Sequence, residues 1–293
     1  MKRKKFRVGY AACALTVVVL LAVCQLLFEY PIVTMKTVDE GTMELHALDV
    51  GQADCTLIRT EAGYVLVDTG EAVTARRVVA YLRRAGVDRL AYLVLTHPDS
   101  DHIGGAPAVL AAIPTDAVIL PRLDESDRPQ TEVYLALEEA LATSCARVIE
   151  ATAGDIMRVG ALQLTILAPL HDDYEDINDY SVVVRMDFGE TSFLFTGDAT
   201  APVEAELLEK YTDELLRSTL FQAGHHGANT SNTKDFVAAV APEIVVVSCG
   251  ANAFGHPSGE ALVSYALAGA TVYKTGEEGT IVFVSDGTEI RKK

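Results

Sequence analysis

The 293-residue sequence predicts an α/β fold, a four-layer αββα sandwich in which two β-sheets pack face to face between outer helices. Two observations predict it. Each half of the chain has short apolar strands first and helical segments after them, and no low-complexity tract or linker divides residues 40–293. Hydrophobic residues make up 49% of the chain, which is ample for a core and argues against disorder over most of its length.

The first half begins with three strands in residues 43–67, where apolar runs are separated by turn residues. Helical spacing follows in residues 73–87 and stops at Gly86. The Leu/Val-rich segment 90–96 predicts a buried strand that leads directly to His97. A helix at 104–113, a strand at 116–121 and a helix at 131–144 complete this half.

The second half repeats these element types. Five strands are predicted in residues 147–198, with hairpin turns such as Phe188-Gly189-Glu190 between them. Helices at 201–211, 233–242 and 259–269 alternate with strands at 219–224 and 243–250, and two strands at 271–275 and 279–286 close the chain. One domain spanning residues 43–293 is the simplest interpretation.

Residues 1–28 form a separate segment. Five basic residues precede an uncharged apolar run over residues 8–28, whose 21 residues match the length of a bilayer-spanning helix. The basic cluster predicts a cytoplasmic N-terminus, so one N-terminal helix would anchor an extracytoplasmic domain through a linker at 29–42. A cleavable signal peptide, giving a secreted protein, and acylation at Cys24 remain alternatives.

The excess of acidic over basic residues argues against a large nucleic-acid substrate that is held by its charge. Residues 1–28 hold five of the 24 basic residues and no acid, so residues 29–293 carry 19 basic against 41 acidic residues. A broad electrostatic grip on double-stranded nucleic acid needs the opposite balance. The five cysteines form no C-x-x-C pair and no regular spacing, so the sequence suggests neither a cysteine zinc site nor a disulfide scaffold.

The segment "LVLTHPDSDHIGG" predicts a metal site. Four ligand-type residues lie within six positions after a buried strand: His97, Asp99, Asp101 and His102. Imidazole and carboxylate ligands suit zinc, manganese or iron, and adjacent Asp101 and His102 point in different directions, so the loop can serve two ions. Gly104 and Gly105 would let the next helix pack closely. A polar turn that caps this helix would not need both histidines.

Ionisable residues also follow other predicted strands, namely Asp68, Asp198 and His225. Unpaired charges at the ends of apolar strands would be costly to bury, and shared metal ions would remove that cost. Other catalytic signatures are missing from the sequence, which has no G-x-S-x-G elbow, P-loop or G-x-G-x-x-G fingerprint.

The motifs "VDTG", "THPDSDHIGG", "FLFTGD" and "GHHG" resemble those of the metallo-β-lactamase superfamily of metal-dependent hydrolases, in the same order. More narrowly, "LDVGQADCTLI", "SFLFTGD", "QAGHHGANTS" and "VSCGANAFGHPS" resemble the hydrolase domain of ComEC-type DNA-uptake proteins and its free-standing relatives. The resemblance covers residues 43–285. It implies the αββα metallo-β-lactamase-like fold and a metallo-hydrolase domain.

The resemblance implies two metal ions, each held by several side chains. His97 and Asp99 would serve the first metal, with Asp99 in place of the usual second histidine. Asp101 and His102 would serve the second metal, completed by one of His225 and His226, and Asp198 would bridge both.

The usual first-site histidine between the second and fourth motifs is missing. Asn178 matches the asparagine of the ComEC-type group there, whereas His171 lies in an acidic loop. The first site would therefore be rich in oxygen, which makes manganese a rival to zinc, with one or two divalent ions bound. Asp68 would orient a ligand, and His256 would contact substrate. Asp54 resembles a position near the site, with no role assigned.

Hydrolysis by a metal-bound hydroxide is the expected chemistry, because coordination lowers the pKa of water from about 16 to about 7 in favourable zinc cases. Asp101 or Asp198 would orient the hydroxide and receive its proton, while His226 or His256 would donate a hydrogen bond to the developing charge. The ComEC-type resemblance implies a phosphodiester substrate, either small or single-stranded nucleic acid. Lactone, lactam or ester hydrolysis is the alternative, as is a non-catalytic, membrane-tethered partner of a DNA-uptake or envelope machine. The sequence predicts no particular protein partner.

Overall fold

The computed structural model describes residues 35–293. The predicted anchor or signal segment, residues 1–28, therefore lies outside the described residues, together with the start of the predicted linker. Within residues 35–293 the helices are too short or too polar to span a bilayer.

Residues 35–293 form two β-sheets, as the alternation of apolar and polar residues predicts. The strands are β1 (Met43–Ala47), β2 (Thr56–Thr60), β3 (Gly63–Val67), β4 (Leu90–Val94), β5 (Thr115–Leu120), β6 (Arg147–Glu150), β7 (Ile156–Val159), β8 (Leu162–Ala168), β9 (Val183–Phe188), β10 (Thr191–Phe195), β11 (Leu220–Gln222), β12 (Ile244–Val247), β13 (Thr271–Lys274), β14 (Ile281–Ser285) and β15 (Ile290–Lys292). One sheet has the order β15-β14-β1-β2-β3-β4-β5-β6, and the other has the order β13-β12-β11-β10-β9-β8-β7.

Helices cover the outer face of each sheet. They are α1 (Ala75–Arg84), α2 (Ser100–Ile103), α3 (Ala106–Ala112), α4 (Glu132–Thr143), α5 (Ala201–Lys210), α6 (Asp213–Leu216), α7 (Lys234–Val240), α8 (Gly259–Ala268) and α9 (Thr275–Glu278). Hydroxyl caps begin three of them, because Thr131, Thr233 and Ser258 accept hydrogen bonds from the first turns of α4, α7 and α8.

Three apolar clusters hold the layers together. Strand residues such as Ile58, Val94, Ile166 and Phe193 fill the space between the two sheets. A second cluster lies between the first sheet and α1, α3 and α4, and a third lies between the other sheet and α5, α7 and α8. The predicted four-layer αββα sandwich is confirmed.

The end of the chain crosses between the sheets in a way that the sequence does not predict. β13 pairs in parallel with β12, but β14 returns to the first sheet, where Phe283 lies opposite Leu45 in an antiparallel pair. The first sheet therefore contains both ends of the described chain. The short helix α2, which carries Asp101 and His102, is also absent from the sequence-based assignment.

The second part of the predicted linker packs on the domain. The Met35 N–H donates to the carbonyl oxygen of Arg84 at 2.7 Å, and Arg59 Nη2 donates to the carbonyl oxygen of Lys36 at 3.0 Å. Arg59 is buried and pairs with Glu44, which also accepts a hydrogen bond of 2.7 Å from Lys293 Nζ. A backbone hydrogen bond to Arg84 thus fixes Met35, and the ion pair of Arg59 with Glu44 fixes the carbonyl group that follows it.

Candidate metal centre

Side chains of the site follow strands of both sheets. Asp68 directly follows β3, and His97 comes three residues after β4 in the first sheet. In the second sheet, Asp198 and His225 come three residues after β10 and β11. Because these strands run in parallel within each sheet, their carboxyl ends meet at one edge, where the two sheets bring the side chains together.

Backbone hydrogen bonds join the loops of the first sheet. The Asp54 N–H donates to the carbonyl oxygen of Asp101 at 3.2 Å, and the Thr69 N–H donates to that of His102 at 2.7 Å. Gly105 closes the same junction, since its N–H donates to the carbonyl oxygen of Gly70 at 2.9 Å. The loops therefore hold their side chains as one rigid unit.

Four buried residues form a compact cluster. One ligand atom from each of Asp54, His102, Asp198 and His226 lies within 4.8 Å of all the others. His102 Nε2 is 3.2 Å from Asp198 Oδ1, and His226 Nε2 is 3.9 Å from Asp198 Oδ2. Two imidazoles and two carboxylates at this spacing are a donor set that suits zinc or manganese.

A second group of side chains surrounds the other oxygen of Asp198. His97 Nε2 lies 3.9 Å from Asp198 Oδ2 and 3.7 Å from Asp99 Oδ2. His225 Nε2 lies 3.4 Å from the same Asp198 oxygen. Asp198 Oδ1 therefore faces His102, whereas Oδ2 faces His97, His225 and His226, so the carboxylate lies between both groups of side chains.

Hydrogen bonds at Nδ1 orient three of the histidines. His102 Nδ1 donates to Asp68 Oδ2 at 2.8 Å, and His226 Nδ1 donates to the carbonyl oxygen of Ser248 at 2.9 Å. His97 Nδ1 lies 3.2 Å from Thr96 Oγ1. Because Nδ1 of His102 and His226 donates outward, Nε2 of both rings is directed into the cluster, which is how an acceptor carboxylate or carbonyl prepares a histidine to bind metal.

Buried polar atoms without partners converge at this point. Among residues 35–293, His97 Nε2, His102 Nε2 and Asp198 Oδ1 are inaccessible to solvent and make no hydrogen bond. An unsatisfied buried polar atom costs about 1–3 kcal/mol, so three together need an explanation. Bound divalent cations would satisfy these atoms, and the residues present therefore fit a metal centre.

The shifted pKa values of Asp198 and His226 also indicate that the buried carboxylates need positive charge beside them. Burial would raise the pKa of Asp198, but His102, His226 and His97 outweigh it and hold that pKa well below 3.8. Burial would lower the pKa of His226, yet Asp198, Asp54 and the contact with Asp101 raise it to about 9. Protons on the histidines thus balance the carboxylates wherever a cation does not.

The His225-His226 pair occupies a left-handed turn. Both residues have positive φ, 49° for His225 and 53° for His226, a conformation that non-glycine residues avoid. The turn directs His226 into the buried cluster, with Nε2 3.0 Å from Asp101 Oδ2, while His225 stays at the partly exposed rim. Two facing lone pairs would repel, so the contact between His226 and Asp101 needs a proton or a cation between them.

Three further residues predicted from the sequence, His256, Asn178 and Asp68, lie outside the group of facing ligand atoms. The His256 ring is half-buried and lies 5.6 Å from the His225 ring, at the rim of the site. Asn178 Oδ1 is buried without a hydrogen-bond partner among the described residues, and no polar contact joins it to the histidines there. Asp68 supports His102 and also accepts hydrogen bonds from Thr96.

Asp54 is the ligand-type residue to which the sequence gives no role. It is buried, and one oxygen accepts a hydrogen bond of 2.6 Å from Gln222 Nε2, so the side chain is fixed. Its other oxygen lies 3.8 Å from His226 Nδ1. Asp54 lies just before β2 in the segment "LDVGQADCTLI", and the structure places it in the cluster, as its resemblance to a position near the site predicts.

Fold and site together define a metal-dependent hydrolase of the αββα class. The family model of the metallo-beta-lactamase superfamily matches residues 48–251. The chain belongs to this superfamily.

Curated relatives narrow the resemblance. The chain is 28% identical over 279 residues to ComE operon protein 3 of Bacillus subtilis, covering 88% of this chain and 34% of that protein. It is 34% identical over 251 residues to competence protein ComA of Neisseria gonorrhoeae, covering 85% of this chain and 33% of that protein. The predicted ComEC-type resemblance is confirmed, and the chain spans about a third of the length of these relatives.

Solved structures agree on the fold alone. The metallo-β-lactamase fold protein YhfI of Bacillus subtilis has a TM-score of 0.55 at 13% identity, covering 83% of this chain and 100% of that one. Igni18, a metallo hydrolase of Ignicoccus hospitalis, has a TM-score of 0.53 at 15% identity, covering 83% and 98%.

Proposed function

We propose that this chain hydrolyses phosphodiester bonds in small or single-stranded nucleic acid substrates. The observation that carries the proposal is the buried cluster, in which three histidine Nε2 atoms are directed at the carboxylate of Asp198. The similarity to competence proteins supports a phosphodiester substrate, and the excess of acidic residues favours a short or single-stranded one over a gripped duplex.

Two groups of residues would hold the ions. His102, His226, Asp101 and Asp54 would hold one. His97 and Asp99 would hold a second, with His225 or the unpartnered amide oxygen of Asn178 in place of the missing histidine. Asp198 would be shared between them.

The high proportion of oxygen donors supports manganese beside zinc. A bound divalent ion lowers the pKa of water and polarises the phosphoryl oxygen.

Side chains of this chain would orient the water molecule, accept its proton and stabilise the developing negative charge. Asp101 is partly exposed and lies beside His226, so its carboxylate can orient a water molecule and accept its proton. Asp198 is the alternative acceptor, although its position between the histidines suits a ligand better. We assign His226 to ligation, since its Nδ1 is committed to Ser248, and we assign the hydrogen bond to the developing negative charge to His256 at the rim.

Hydrolysis of bis-p-nitrophenyl phosphate tests this proposal. We expect the described domain to cleave it with added manganese or zinc, and the double variant His97→Ala/Asp198→Ala to fall to background. Asp39→Asn, which changes an exposed carboxylate outside the site, serves as the matched control. Activity confined to lactone, ester or β-lactam substrates would contradict the phosphodiesterase assignment, and a folded chain without any hydrolytic activity would favour a non-catalytic partner.

We further propose that residues 8–28 anchor the domain to the membrane with the site outside the cytoplasm. The basic residues before this apolar run support that orientation. Digestion of intact spheroplasts with an added protease tests it. We expect the domain to be degraded, whereas protection of the domain until the cells are lysed would contradict the orientation.

A further inference from the structure

Phe254 is an apolar side chain held in solvent next to the site. It is 76% exposed, whereas the other aromatic residues of the described part of the chain are buried or half-buried. It lies in residues 250–258, which connect β12 to α8 and also carry His256. Its ring is therefore accessible to a ligand next to the site.

The loop is closely fixed, so the exposure does not arise from a loose segment. The Asn252 side-chain amide donates to the carbonyl oxygens of Gly250 at 2.9 Å and His256 at 2.8 Å. Its Oδ1 accepts hydrogen bonds from the N–H groups of Gly255 at 2.9 Å and His256 at 3.1 Å. One amide therefore closes the loop from both sides and holds Phe254 outward.

A row of rings connects Phe254 to the candidate metal centre. The Phe254 ring stacks on the His256 ring at 5.6 Å with 29° between the planes. The centres of the His256 and His225 rings lie 5.6 Å apart in a T-shaped arrangement, and His225 Nε2 lies 3.4 Å from Asp198 Oδ2. Phe254 stays largely exposed beside His256, so a further ring can stack on it.

We propose that Phe254 is a stacking platform for a nucleobase next to the phosphodiester held at the metal centre. The inference rests on the proposed phosphodiesterase function and names what that site recognises. Aromatic side chains bind bases of any sequence through their faces. Away from the metal centre, an acidic domain offers no broad electrostatic grip on the phosphates of a strand, and base stacking does not need one. The substrate class is therefore short single-stranded oligonucleotides, without strong sequence preference.

Paired oligonucleotides test the platform. We would compare hydrolysis of a single-stranded thymidine pentamer with that of an abasic pentamer, in the manganese-loaded wild type and in Phe254→Ala. Base stacking contributes enough that we expect kcat/KM for the thymidine pentamer to fall about 5- to 140-fold in Phe254→Ala. The preference for the thymidine pentamer over the abasic pentamer should fall with it. Phe254→Trp should keep the preference, and Phe254→Leu should lose it because leucine has no aromatic face. Leu267→Ala is the matched control, since Leu267 is 72% exposed on α8.

A binding measurement separates this inference from the proposed function. We would follow quenching of 2-aminopurine fluorescence in a phosphorothioate pentamer, which reports stacking without hydrolysis. Quenching that requires Phe254, in a chain that cleaves no phosphodiester, would support the platform and overturn the phosphodiesterase proposal. Phosphodiester hydrolysis with the same substrate preference and the same quenching in wild type and Phe254→Ala would overturn the platform alone.

Discussion

Asp68 shows how a residue outside the cluster prepares it. Its carboxylate accepts hydrogen bonds from His102 Nδ1 and from both the N–H and the hydroxyl of Thr96, each at 2.8 Å. These contacts fix the tautomer of His102 and direct Nε2 inward. Asp68 also has a φ of 56°, a left-handed conformation that aspartate tolerates better than most residues, which places the carboxylate under the ring.

Replacement of Asp68 tests this orienting role. Asp68→Asn keeps the shape but removes the charge and one acceptor, so we expect metal affinity to fall about 10- to 100-fold while the fold is retained. Competition with a chelator of known affinity measures the change. Asp39→Asn, at an exposed carboxylate, should bind metal like the wild type. Equal affinities in Asp68→Asn and the wild type would show that Asp68 does not orient His102.

Glu44 gives a pH dependence that is separate from the metal centre. A hydrogen bond from His46, together with Lys293 and Arg59, lowers the pKa of Glu44 from 4.5 to about 2, although burial opposes this shift. The folded chain therefore keeps the carboxylate ionised where the unfolded chain protonates it. The resulting stabilisation is complete above about pH 4.5 and is lost as the pH falls toward about 2.

Glu44→Gln should remove this pH dependence. We expect the variant to unfold more easily than the wild type at pH 7 and the difference in unfolding free energy to shrink between about pH 4.5 and pH 2. Denaturant titrations in EDTA measure it without a metal contribution. The exposed Glu61→Gln should track the wild type at each pH. A constant gap between Glu44→Gln and the wild type would be incompatible with the lowered pKa.

At the residue scale, sequence motifs indicate most of the site but not its internal roles. The spacing of His97 to His102 predicts ligands because few other uses need both histidines. The choice between His225 and His226 depends on a left-handed turn that orients their side chains differently, and no local pattern shows it. The resemblance places Asp54 near the site, but its approach to His226 follows only from the tertiary fold.

Among the elements, the α2–α3 segment packs closely because two of its residues are glycines. A Cβ on Gly104 would lie 2.5 Å from the backbone nitrogen of Ala72, and one on Gly105 would lie 2.3 Å from the carbonyl oxygen of Thr69. The two glycines thus let the segment approach the loop after β3. This close approach is the packing that their position after "SDHI" predicts.

Gly105→Ala should therefore weaken both the fold and the site. The added methyl group must displace the Thr69 backbone, which we expect to lower the unfolding free energy by about 1–3 kcal/mol and to reduce metal affinity through His102. Thermal unfolding and chelator competition measure the two effects. Gly259→Ala is the matched control, because a Cβ there meets no atom within 4 Å. Equal stability of the two variants would refute the packing argument.

Sequence periodicity predicts where the helices and strands lie, but it does not predict which distant strands pair with each other. The apolar runs of β4, β10 and β12 are buried strands because they lie inside a sandwich, and their length and composition reveal this. β14 has an equally clear strand pattern, but its partner β1 lies more than 200 residues earlier in the chain. Periodicity reports local burial and carries no information about that partner.

On the scale of the whole molecule, the fold places a compact ligand set at the edge of an acidic domain. Ordered motifs are enough to predict the αββα sandwich and the superfamily, because the ligands follow strands whose order the fold requires. The substrate depends instead on the rim, where residues 250–258 present His256 and Phe254. The motif "VSCGANAFGHPS" points to His256, but the exposure of Phe254 beside it follows only from the conformation of the loop.

The central claim is that the cluster around Asp198 binds divalent metal, and metal analysis of protein purified without chelator tests it most directly. We predict one or two zinc or manganese ions per chain in the wild type and in Asp39→Asn. We predict loss of most of this metal in His102→Ala and Asp198→Ala, with folding verified by circular dichroism. A wild-type chain that stays free of metal after loading with both ions, or variants that keep the full metal content, would contradict the account.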